Sequence, residues 1–148
     1  MTEFNPTTPD VIIYYNSACE TSRNTLALIR ITGIKPHIIE YLKLPLNRDL
    51  LLRLVRRMGV SLRSIQREKG TPYSEFQLER PDLTVDELLD AIGSHPILIN
   101  RPIVLTPRGV RLCWPSEVVL EILPIAQLGA FTKEDGDAVI DARSHHIV

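Results

Sequence analysis

The stretch from 11 to 41 constrains the fold more than any other. "VIIYY" (11–15) is a β-branched and aromatic run without polar alternation, the composition of a buried strand. From Thr21 the pattern turns helical, with Leu26 and Ile29 three apart and Gly33 placed as a helix stop. "HIIEY" (37–41) then reads as a second strand. Strand, helix and strand within about 30 residues make a right-handed crossover between two parallel strands.

The remainder supplies helices first and a hairpin afterwards. Asn47 is suited to cap a helix whose apolar stripe is Leu50, Leu51, Leu54, Val55 and Met58, with Gly59 ending it. A short helix is expected over Ser61 to Arg67, and loops with at most a turn or two of helix over 68–83. Thr84 and Glu87 form a capping box ahead of Val85, Leu88, Leu89 and Ile92, with Gly93 at the far end. "ILINRPIVLTPRGVRLCW" (97–114) reads as an arm, a strand over 102–106, a Pro-Arg-Gly turn and a strand over 110–113. Helices are expected over 115–123, where Val118, Val119, Ile122 and Leu123 share a face, and again from Thr132. The order βαβ, helices, ββα is that of an α/β thioredoxin-like fold: a mixed four-stranded sheet flanked by helices, with a helical insertion between the halves. One domain over 1–148 is expected, with 1–10 and 142–148 as loose tails.

Charge and composition remove several classes of function. Seventeen basic and eighteen acidic residues leave a net charge of −1, so no global field recruits nucleic acid or an anionic membrane, and anion recognition must be local. No apolar run approaches the roughly 18 residues needed to span a bilayer, and "MTEFNPTTPD" lacks the features of a signal peptide. A cytoplasmic location is the expectation. Two cysteines, Cys19 and Cys113, are too few for a disulfide framework or a four-cysteine zinc site. His37 and His95 have no ligand-spaced partners and His145-His146 fall in the expected loose tail, so no metal site is expected.

Cys19 falls at the junction of the first strand and the first helix, inside "YYNSACETSRNT" (14–25). Unpaired backbone N–H groups and the positive end of the helix dipole stabilise an anion there and lower a thiol's pKa. Asn16, Ser17, Thr21 and Ser22 add donors for a thiolate or an incoming oxyanion. Glu20 opposes ionisation and Arg23, one turn on, favours it. Spacing alone equally permits Cys19 to be a small apolar filler. A Cys-x-x-Cys redox pair is absent, because position 22 is Ser, and a phosphatase-type cradle is excluded by Thr25. Cys113, in a predicted strand, reads as core, and Trp114 as a packing residue.

"YNSACETSRNTL", "GIKPHIIEYL", "HPILINRPIVLTPRGVRLCWPSEVVLEIL" and "GAFTKEDG" together resemble the glutathione- and glutaredoxin-linked arsenate reductases of bacteria. The resemblance covers nearly the whole chain. It implies that Cys19 is the nucleophile, that Arg67 in "RSIQR" and Arg101 in "NRPIV" contact the oxyanion, and that Arg101-Pro102 is a cis peptide. Asn16 and Ser22 join them as candidate substrate-binding residues. It implies further that arsenate becomes arsenite with glutathione as co-substrate, glutaredoxin as protein partner and no bound cofactor.

The chain departs from the family pattern in the residues before and after Cys19. Tyr15, Asn16 and Ser17 stand where relatives carry His-Asn-Pro, and Glu20 replaces a small residue. Trp114 stands where a third arginine would. The departures keep an alternative open, a related thioredoxin-fold thiol reductase acting on glutathione conjugates or mixed disulfides. A redox regulator of the same superfamily that binds RNA polymerase is the non-enzymatic alternative. The missing Cys-x-x-Cys switch and the presence of both Arg67 and Arg101 oppose it.

Overall fold

A computed structural model describes residues 11–44, 46–67, 71–123, 131–135 and 138–140. They fall into two compact units, one drawn from Met1–Ile39 and Arg101–Val148, the other from Glu40–Asn100. The expected loose tails and His145-His146 lie outside the described residues.

The first unit is built on β1 (Ile12–Tyr15), α1 (Glu20–Arg30), β2 (His37–Glu40), β3 (Ile103–Thr106) and β4 (Gly109–Leu112). The strands form one mixed sheet in the order β2-β1-β3-β4. β1 runs antiparallel to β3, with Ile12 opposite Leu105 and Tyr14 opposite Ile103. β3 and β4 form the expected hairpin, with Ile103 opposite Leu112 and Thr106 opposite Gly109. Gly109 takes φ +153, and a Cβ built there would lie 3.3 Å from an Arg111 side-chain nitrogen, so glycine suits the position. The apolar face of α1 brings Leu26, Leu28 and Ile29 onto Val11, Ile13, Val104, Cys113, Val119 and Ile122. Each fully buried aliphatic side chain in such a cluster contributes about 1.5–3 kcal/mol, an upper figure because unfolded chains are themselves partly collapsed.

The second unit follows its capping residues. Asn47 Oδ1 accepts the Leu50 amide at 2.8 Å and opens α2 (Arg48–Met58), which Gly59 closes in the left-handed conformation at φ 72. Leu51, Leu54 and Val55 are the buried part of its stripe. Thr84 and Glu87 form both bonds of the capping box on α3 (Val85–Ser94), which buries Leu88, Leu89 and Ile92. Between these helices, Ser61 caps a 3-10 turn over Leu62–Ile65. Gln66 then bridges Ile99, flanked by Arg67 N to Leu98 O and Asn100 N to Ile65 O, both at 2.7 Å. The Tyr41 hydroxyl reaches Ile99 O in the same unit.

Three expectations are corrected. Ser116–Glu121 is a 3-10 helix and not an α-helix. Three-residue spacing of apolar side chains serves both, and the short run between Pro115 and Pro124 leaves little room for i to i+4 bonding. The helix expected from Thr132 is replaced by β5 (Phe131–Thr132) paired antiparallel with β6 (Ala138–Ile140). Trp114 is not a packing residue, being 62% exposed. No described helix is long and apolar enough to cross a membrane.

Candidate active site

The end of β1 delivers the chain into α1 through Asn16, Ser17, Ala18 and Cys19. Asn16, itself buried, ties this turn: its Oδ1 accepts the Ala18 amide at 3.0 Å and its carbonyl accepts the Cys19 amide at 2.9 Å. The Asn16 amide donates in turn to Ser22 Oγ at 3.4 Å. Cys19 is the N-cap of α1, with φ −100 and ψ 120, and is half-buried. Ser22 is then the third helical residue, whose amide a capping side chain is placed to satisfy.

Burial pushes the Cys19 thiol up, but this is outweighed. The Ser22 backbone N–H, the Arg101 guanidinium and the Ser22 hydroxyl all favour the thiolate, and the charge on Arg101 adds to them. The thiol is therefore held below its ordinary value. Arg101 is only 9% exposed, and a guanidinium that far from solvent gains from an anionic neighbour. The Arg101-Pro102 peptide is cis, as the resemblance implied, and so is Trp114-Pro115.

Arg23 does not act on Cys19 in the way the one-turn spacing suggested. Its guanidinium is turned to Glu134, with Nε and Nη2 at 2.9 and 3.0 Å from the two carboxylate oxygens, and Nη1 reaches Ser17 O at 2.9 Å. The cation thus braces the turn and the segment after β5. Cys113 is fully buried and joins the hydrophobic core, where burial and Glu121 drive its thiol far above the ordinary range despite Arg111. The two cysteines are therefore opposite in character, although both are free.

Four of the five candidate site residues, Asn16, Cys19, Ser22 and Arg101, come together in the first unit. Arg67 belongs to the second unit, where it follows the 3-10 turn and is half-buried with its amide bound to Leu98 O. Ser22, one of the candidate residues, offers Cys19 both its amide and its hydroxyl. Its position three residues after a helix-capping cysteine was the available signal. Among the described residues no group of three His, Cys, Asp or Glu side chains is placed to hold a metal ion.

A thioredoxin-like sheet that carries a thiol at a helix N-terminus, with a buried arginine acting on it, defines the class: an α/β protein of that fold. Within it, this chain belongs to the ArsC family, whose sequence profile matches residues 14–122. The arsenate reductase of Rhizobium meliloti strain 1021 is 55% identical over 138 residues, 93% of this chain and 99% of its own length. That of Escherichia coli K12 is 56% identical over 132 residues, 89% of this chain and 94% of its own. The structure of an arsenate reductase from Vibrio cholerae superposes with a TM-score of 0.75 at 40% identity, covering 78% of this chain and 99% of that one.

Proposed function

We propose that this protein reduces arsenate to arsenite through Cys19, with glutathione and glutaredoxin as electron donors, in a reducing cytoplasm. The observation that carries the proposal is the thiol at the N-cap of α1, held toward its anionic form by Ser22 and Arg101. Its support from outside the chain is that the relatives described above are arsenate reductases.

The Cys19 thiolate attacks arsenic(V), an As–O bond breaks, and the departing oxygen leaves as water after protonation. Arg101 offsets charge on the arsenate oxygens, for which the planar two-pronged guanidinium is suited. Asn16 and Ser22 hold the thiolate turn and offer donors to the same oxygens. Glutathione displaces a second oxygen as water, leaving arsenic bound to two sulfurs. A glutaredoxin thiolate then attacks the glutathione sulfur, the new disulfide forms, and the S–As electron pair stays on arsenic, which becomes As(III). Hydrolysis of the Cys19–As bond releases arsenite and restores the thiol. Two electrons enter arsenic, and two thiols end as one disulfide.

NADPH consumption coupled through glutathione reductase tests this, with arsenate, glutathione and glutaredoxin omitted in turn. Turnover that needs all three supports the proposal. Turnover without arsenate but with a glutathione mixed disulfide favours the second reading, a thiol reductase of such disulfides. The exposed, uncharged Trp114, two residues past the end of β4, is what keeps that reading in view.

A further inference from the structure

The sheet topology places Trp114 at the end of the sheet that carries the thiol. β1 runs antiparallel to β3, and β3 to β4, so the C-terminal ends of β1 and β4 and the N-terminal end of β3 lie together. Asn16 follows β1 directly, Arg101 lies two residues before β3 and Trp114 two residues after β4. The Cys113 amide donates to Pro102 O at 2.9 Å, which carries the β3–β4 contact one residue beyond the ladder. Of the three, Asn16 and Arg101 are buried, whereas Trp114 is 62% exposed.

We propose that Trp114 is a contact residue for glutathione, the small peptide thiol of the reaction above, and not for the oxyanion. The inference rests on the proposed function. An indole has one N–H donor and no charge, so it is poorly matched to a hydrated arsenate. Its apolar face and single donor suit a molecule of methylenes, amide planes and carboxylates. The neighbouring cations are engaged elsewhere: Arg108 donates to Leu123 O at 3.3 Å, and Arg111 to Val110 O at 2.8 Å while facing Glu121. Trp114 is thus an open, uncharged side chain at the end of the sheet where the proposed reaction holds arsenic on Cys19.

Trp114 is the sole tryptophan of the chain, so its emission reports on this contact directly. Titrating wild-type protein with glutathione, arsenate present and glutaredoxin omitted, is expected to give a saturable emission change. In the coupled assay, Trp114→Ala should raise KM for glutathione about tenfold, the net effect of one buried indole face after ordering costs. KM for arsenate and for glutaredoxin should stay within twofold, and Trp114→Phe should recover most of the loss. No saturable emission change overturns the proposal, as does an unaltered KM for glutathione or a rise confined to arsenate or glutaredoxin. If wild-type protein shows no arsenate-dependent turnover, the proposed function fails, and the emission titration alone decides the contact. The titration likewise decides if Trp114→Ala does not fold.

Discussion

Arg101 and Ser22 act on the ionisation of one sulfur, that of Cys19. Removing the guanidinium in Arg101→Ala takes away both a hydrogen bond and a positive charge from the Cys19 thiolate, so its titration midpoint should rise toward that of a free thiol, about 8.5. Ser22→Ala removes only the hydroxyl and leaves the helix amide in place, so the rise should be smaller. Thiolate absorbance against pH checks the order; an unchanged midpoint in Arg101→Ala would contradict it. The linkage has a definite sign. Because the folded-state value is depressed, this group's contribution to stability is present above the unfolded thiol's pKa and is lost as pH falls through the folded one. Gln66 supplies a second prediction at this scale. Its residue is 9% exposed, and both amide atoms are buried with no hydrogen-bond partner among the described residues. A leucine there has similar volume and no polar atoms to strand, so Gln66→Leu should stabilise the protein by about 1–3 kcal/mol in denaturant unfolding. A loss of stability would show that the amide is satisfied in solution.

Among the elements, those with a local cause were readable from sequence. Asn47, the Thr84 and Glu87 pair and Gly59 mark helix ends through bonds to residues within four positions, and the Pro-Arg-Gly turn joins adjacent strands. The elements that were misread depend on partners distant in sequence. β5 and β6 exist by pairing with each other across a charged run that mimics a helix. Arg23 was assigned to the thiol because Glu134, 111 positions away, was not visible as its partner. Lys133 and Glu117 make a comparable long-range link, tying the segment after β5 to the 3-10 helix through side chains that are both mostly buried. Burial raises the Glu117 carboxyl, but Lys133, the Glu117 amide and Ser116 prevail and hold it below the usual range. That stabilisation is present above the unfolded carboxylate pKa, about 4.3, and lost as pH falls through the folded value. Lys133→Met should cost about 1–3 kcal/mol at neutral pH and flatten the acid limb of the stability profile. An unchanged acid limb would show that the pair contributes nothing.

For the whole molecule, the crossover and hairpin patterns were enough to order the four-stranded sheet, whereas the site was only partly readable. Cys19 stood out because a strand-to-helix junction is a physical cause of thiol acidity. Arg101 was named through the family resemblance, since no periodicity relates two residues 82 positions apart, and the fold supplies their meeting. In the function proposed above, the acidic thiol of Cys19 performs the chemistry while Cys113 is structural. Arsenate-dependent NADPH oxidation by wild-type, Cys19→Ser and Cys113→Ser proteins, with glutathione and glutaredoxin supplied, measures it directly. Cys19→Ser should fall to the enzyme-free background, and Cys113→Ser should keep most of the wild-type rate, its hydroxyl placed to take over the sulfur's contact with Arg111 O. Retained turnover in Cys19→Ser, or equal loss in both variants, would contradict the claim.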